Sequence, residues 1–125
     1  MRNEDPQGAG FTVLVVDDEP DIRFLLAVVL ERAGYTVIEA AHGNAALEQA
    51  RSSPPRLVIT DRMMPVMGGA ELIERLRADE GTAGIPIVML TAAPAGEPRA
   101  DVVLMKPFEP DELIAVVNWL TGRGS

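Results

Sequence analysis

Short apolar runs alternate along this chain with segments whose apolar residues recur at helical spacing. Residues 11–16 form an apolar run of the kind expected for a strand buried on both faces. Ile22, Leu25, Leu26, Val29 and Leu30 then follow at helical spacing, and Gly34 reads as the stop. Asp18 is placed to cap that helix, with Glu19 and Asp21 in its positive first turn and Pro20 tolerated there. Residues 36–40 read as a second strand. Residues 43–52 carry Ala46, Leu47 and Ala50 on one stripe and end at the Pro54-Pro55 break. A third strand over 57–61 leads through a loop, 63–69, to a helix over 70–80 that buries Leu72, Ile73 and Leu76. Strands over 85–91 and 101–105 and a last helix over 110–120, with Leu113, Ile114, Val117 and Leu120 inward, complete the pattern. The alternation predicts an α/β fold, a parallel sheet with helices on both faces.

One connection breaks the rhythm. Only nine residues separate Thr91 from Asp101, and Pro94, Gly96 and Pro98 are among them. A parallel crossover usually needs about a dozen residues and contains a helix. The fourth helix should therefore be missing or cut to one turn. With two prolines and no apolar stripe, residues 92–100 are expected to open cheaply.

Chemistry gathers where the apolar runs stop. The first ends in Asp17-Asp18, the third in Thr60-Asp61, the fourth in Thr91 and the fifth in Lys106-Pro107. Ligands collect outside the carboxyl ends of parallel strands, so these scattered positions converge if the runs are neighbours. Asp17-Asp18 before Pro20 suits helix capping and also a divalent-cation site, since magnesium needs few carboxylates and keeps several waters. Asp61 beside that pair would create like-charge conflict that a cation removes, and its carboxylate can act as a nucleophile toward a phosphoryl group. Thr91 reads alone as a strand residue and Lys106 as a surface charge. On a shared edge they can bind phosphoryl oxygens. The Lys106-Pro107 bond is a candidate cis peptide.

Composition narrows the partners. A formal net charge of −8, from eleven basic and nineteen acidic residues, repels nucleic acid and anionic membrane alike. No apolar run approaches a membrane span, and cysteine is absent, so the chain reads as a soluble cytoplasmic protein with no disulfide framework. Residues 1–10 read as a flexible arm, 11–121 as one domain and 122–125 as a frayed tail.

The stretch Val-Val-Asp-Asp-Glu-Pro ending at Pro20, the segment Asp61-Arg-Met-Met-Pro65 with Gly69, Leu90-Thr91-Ala92 and Lys106-Pro107-Phe108 together resemble the receiver domains of bacterial two-component response regulators. The resemblance implies a doubly wound, flavodoxin-like five-stranded sheet in the order 2-1-3-4-5. It implies a phosphoaspartate switch charged by a histidine kinase or phosphotransfer protein, with Asp61 as phosphoacceptor. Asp18 becomes a direct magnesium ligand, Asp17 a ligand mainly through water and the Met63 carbonyl a further ligand. Thr91 and Lys106 become the phosphoryl-binding pair. The chain departs from the pattern in its shortened crossover, in Val103 where an aromatic switch residue is common, and in Gly68 where an acidic residue is common.

A single-domain regulator acting on a protein partner, as adaptor, relay or phosphate sink, is the first expectation. A constitutive protein-binding module independent of phosphate is the alternative, suggested by the missing helix and aromatic. A hydrolase of the aspartyl-phosphate phosphatases is disfavoured, because those enzymes carry an aspartate where this chain has Met63. His42 reads as a loop residue, and Trp119 as packing in part against core or partner. Met63, Met64, Met67, Met89 and Met105 read as packing residues.

Overall fold

The computed structural model describes residues 11–93 and 96–122. The elements are β1 (Thr12–Val16), α1 (Pro20–Arg32), β2 (Thr36–Ala40), α2 (Gly43–Ser52), β3 (Leu57–Asp61), α3 (Gly69–Ala78), β4 (Ile87–Thr91), β5 (Val102–Met105) and α4 (Pro110–Thr121). The strands form one sheet in the order β2-β1-β3-β4-β5, and every pairing is parallel. The flexible arm assigned to residues 1–10 lies outside the described residues, as do Pro94, Ala95 and residues 123–125. Gly122 itself adopts φ 81° and serves as the left-handed C-cap of α4.

Each central strand supplies two cores, because its side chains alternate between faces. Leu14, Val16, Val58, Ile87 and Met89 meet α2 and α3 on one face. Val13, Val15, Leu57, Ile59, Val88 and Leu90 meet α1 and α4 on the other. This is why the runs are apolar without interruption, and a full burial of each such side chain contributes roughly 1.5–3 kcal/mol.

The helix starts and exposed faces differ in detail from the sequence expectation. The N-cap of α1 is Glu19, without a side-chain cap bond. Asp17 Oδ1 accepts the Glu19 N–H at 2.9 Å, so Asp18 is left exposed and uncommitted to capping. His42 does more than sit in a loop: its Nδ1 accepts the Ala45 N–H at 3.2 Å and caps α2. Leu25 and Trp119 are exposed, as are Met63 and Met105 among the methionines read as packing. A stripe of five apolar residues is wider than the sheet can cover, and Leu25 falls on its outer margin.

Among the described residues no helix joins β4 to β5. The far half of that crossover is tied by hydrogen bonds to a side chain of α3. Arg77, near the end of α3, donates from Nη1 to the carbonyls of Ala83 and Ile85, both at 2.7 Å. Its Nε and Nη2 donate to the Arg99 carbonyl at 3.1 and 2.9 Å, and Nη2 also reaches Asp101 Oδ2 at 3.0 Å. Asp101 Oδ2 in turn accepts the Ile87 N–H at 2.7 Å. One guanidinium thus ties α3, the α3–β4 loop and the crossover to the start of β4, using the planar set of donors that lysine lacks.

Replacing Arg77 with alanine leaves several carbonyls without a donor. Arg77→Ala should lower unfolding free energy in urea by about 2–3 kcal/mol, on the scale of hydrogen bonds to a charged group. Amide exchange should accelerate at residues 97, 99–101 and 87. Exchange there as slow as in the wild type would show that the clasp carries no stability.

Candidate functional site

The strand register brings the predicted residues to one rim. Val16 pairs with Thr60, so Asp17 and Asp61 stand one step further along neighbouring strands. Thr91 pairs with Met105, and Lys106 follows at once, its backbone N–H donating to the Thr91 carbonyl at 2.8 Å. The Lys106–Pro107 peptide is cis. One carboxylate oxygen from each of Asp17, Asp18 and Asp61 lies within 4.8 Å of the other two. Lys106 Nζ donates to Asp61 Oδ1 at 2.8 Å and offsets part of that negative charge.

Asp17 carries the electrostatic cost of this arrangement. It is buried, and its Oδ2 has no hydrogen-bond partner among the described residues. Burial pushes its carboxyl above the ordinary range, with smaller upward contributions from the Asp61 and Asp18 charges. The Glu19 N–H and the Lys106 ammonium oppose the shift. A buried carboxylate oxygen without a donor, beside two further carboxylates, fits a divalent cation that takes oxygen ligands. The residues present therefore suit magnesium.

Thr91 is brought to the rim with its hydroxyl engaged by the backbone of Ala93. Its hydroxyl donates to the Ala93 carbonyl at 2.9 Å and lies 3.2 Å from the Ala93 N–H, from which it accepts. Met63 lies two residues beyond Asp61 with its side chain largely exposed, so the thioether is not a core residue here.

Two residues support the rim: Arg23, which sequence reasoning missed, and Gly69, which it quoted only as part of a motif. Arg23 Nη1 donates to the Asp17 carbonyl at 2.7 Å while its Nε pairs with Glu39. A basic residue on a helix face gives no signal of a backbone partner. Gly69 lies so near the end of β3 that a Cβ there would fall 2.5 Å from the Asp61 carbonyl oxygen. Its N–H donates to the Arg62 carbonyl at 2.8 Å, locking the start of α3 beneath the acidic rim. Only glycine allows that approach.

The family model of the response regulator receiver domain matches residues 13–118. This chain belongs to that family. The phosphate regulon transcriptional regulatory protein PhoB of Pseudomonas aeruginosa is 42% identical over 85% of this chain and 49% of its own length. The DNA-binding response regulator MtrA of Mycolicibacterium smegmatis is 41% identical over 85% of this chain and 48% of its own. This receiver thus spans about half the length of the transcriptional regulators it matches. The chemotaxis response regulator CheY4 of Vibrio cholerae superposes with a TM-score of 0.82 at 34% identity, covering 88% of this chain and 98% of that one. The receiver domain of the Francisella response regulator 1452 gives 0.81 at 30% identity, covering 91% and 98%. Receivers accept a phosphoryl group on an aspartate in two-component signalling, charged by histidine kinases or phosphotransfer proteins, and bind magnesium at an acidic pocket. Among the described residues no helix is long and apolar enough to cross a membrane.

The raised Asp17 carboxyl has a definite sign for stability. Its charged form is disfavoured in the fold relative to the unfolded chain, so it destabilises the metal-free protein near neutral pH. That penalty fades as pH falls through the raised Asp17 value. Asp17→Asn should therefore stabilise the metal-free protein near neutral pH by about 1 kcal/mol, the scale of an uncompensated buried acceptor. The advantage over wild type should shrink on acidification, and magnesium should stabilise the wild type more than the variant. Urea denaturation at several pH values, with and without magnesium, measures all three. A variant less stable than wild type at neutral pH would contradict the account.

Proposed function

We propose that Asp61 is the phosphoacceptor of a magnesium-dependent switch that signals through a protein–protein surface. The observation that carries this reading is the Asp61 carboxylate set between the Asp17–Asp18 pair and the Lys106 ammonium. Asp17, Asp18, Asp61 and the Met63 carbonyl would hold the cation, Asp18 directly and Asp17 mainly through water. Bound magnesium supplies positive charge to the oxygens of the group being transferred.

One Asp61 oxygen attacks the phosphorus of a phosphohistidine donor. The new P–O bond forms as the P–N bond breaks, and the electron pair returns to the imidazole nitrogen. Lys106 can exchange its contact with Asp61 for one to a phosphoryl oxygen. Thr91 can donate to another only by giving up the Ala93 carbonyl. Water attack on phosphorus later releases inorganic phosphate and restores Asp61, so the domain's chemistry is confined to its own loading and unloading.

Val103 cannot report the change as a rotating aromatic ring would. The Thr91–Ala93 pair offers another route, because drawing the hydroxyl toward the phosphoryl group frees both Ala93 backbone groups. The charge of −8 favours a protein partner over nucleic acid for this domain.

Asp61→Asn should abolish labelling by acetyl phosphate while circular dichroism remains that of the wild type. Stoichiometric labelling of the folded variant would sink the assignment. Lys106→Ala has a different expected signature: it should still label, more slowly, but lose most of the amide NMR shifts that phosphorylation produces at Ala92 and Ala93. A wild-type pattern of shifts in the labelled variant would remove Lys106 from the transmitting role.

A further inference from the structure

The loop between β3 and α3 holds a backbone conformation that its own sequence disfavours. Val66 stands at φ 69°, in the left-handed region that β-branched residues rarely adopt. The Met67 N–H donates to the Pro65 carbonyl at 2.7 Å and closes a tight turn around it. The Val66 side chain is 96% exposed, so burial gives no compensation at that residue. Something adjacent has to hold the turn.

Met67 is that neighbour. It is buried, and it lies on the first residue of α2, Gly43. A Cβ on Gly43 would fall 2.6 Å from the Met67 sulfur and 2.9 Å from its Cβ and Cγ. The missing side chain is therefore a seat for Met67, and the His42 cap fixes the helix start that forms it. Beyond the turn the loop is tied back by the Gly69 N–H on the Arg62 carbonyl. Asp18, His42, Val66 and Met67 line one cleft of about 390 Å³, so turn and seat adjoin the acidic rim.

We propose that Met67 and Gly43 are positioning residues for the cation site: Met67 seated on Gly43 holds the strained Val66 turn, and the turn sets the loop carrying Met63. This rests on the reading that Asp17, Asp18, Asp61 and the Met63 carbonyl hold magnesium. Burial of Met67 supplies the favourable contacts, and the unfavourable conformation is displaced onto an exposed residue. Asparagine tolerates the left-handed region, so a chain with asparagine at position 66 would depend less on the seat.

Magnesium titration calorimetry on the full chain, with thermal unfolding of the metal-free protein, separates positioning from core packing. Met67→Ala should weaken magnesium binding about tenfold, the usual cost of losing a support behind a ligand. Val66→Asn should raise the melting temperature and leave the affinity near that of the wild type. In the double variant, asparagine should restore most of the affinity although the cavity left by Met67 still lowers the melting temperature. A residue that merely fills the core would show no such rescue. Wild-type affinity in Met67→Ala, or a double variant that binds no better than Met67→Ala, would overturn the proposal. If Met67→Ala does not fold, Gly43→Ala, which crowds the seat, and its combination with Val66→Asn should give the same loss and rescue. Asp18→Ala serves as the control: unchanged affinity there would remove the cation reading itself, and the seat's role with it.

Discussion

The close approach of Asp17, Asp18 and Asp61 is the constraint around which this domain is arranged. Like charges at one sheet edge repel, and nothing in the carboxylates themselves would hold them there. The sheet does it, because β1 and β3 are buried on both faces and their pairing has one register that keeps every side chain inside. A slip by one residue would turn each apolar side chain to the opposite face. Hydrophobic burial thus fixes the distance between charges that would otherwise separate. Lys106 offsets one side of the cluster, and the unpartnered Asp17 oxygen marks where compensation is still lacking.

The second organising element is the way the chain passes from β4 to β5 without a helix. A helix there would cover the sheet by burying an apolar stripe. Here a guanidinium gathers backbone carbonyls instead, and Asp101 passes that anchorage to the first residue of β4. The anchored part lies at the end of β4 remote from Thr91. The beginning of the crossover hangs on the Thr91 hydroxyl through Ala93. Two different attachments therefore serve one connection: a polar clasp at the far end and a hydroxyl at the rim.

Much of this was legible in the residues. Short apolar runs bounded by turn residues read as strands, and the polar residue ending each of four runs gave Asp17, Asp61, Thr91 and Lys106 before their neighbours were known. Two prolines and a short span showed that a helix would not fit between Thr91 and Asp101. Arg77 was not legible, because its partners are backbone carbonyls brought close only by the fold. Val66 was hidden for the opposite reason: turn chemistry expects glycine or asparagine at positive φ, and valine reads as something to bury. The caps went astray by one residue. The N-cap of α1 is Glu19, one residue past Asp18, and Asp17 accepts the Glu19 N–H. Helical spacing also overstated the buried stripe at Leu25, since periodicity locates a face without measuring its width.

The sheet also partitions the molecule energetically. Its two cores are built from alternate residues of the same strands, yet their side chains never mix across the backbone layer. Substitutions well apart on opposite faces should combine additively, whereas those sharing a face share neighbours and should couple. The face bearing α1 and α4 can therefore drift in sequence, or be repacked by design, with little epistasis toward the face bearing α2 and α3. The exceptions are residues at the strand ends, where both faces run out and the side chains of Asp17, Asp18, Asp61 and Lys106 answer to one another.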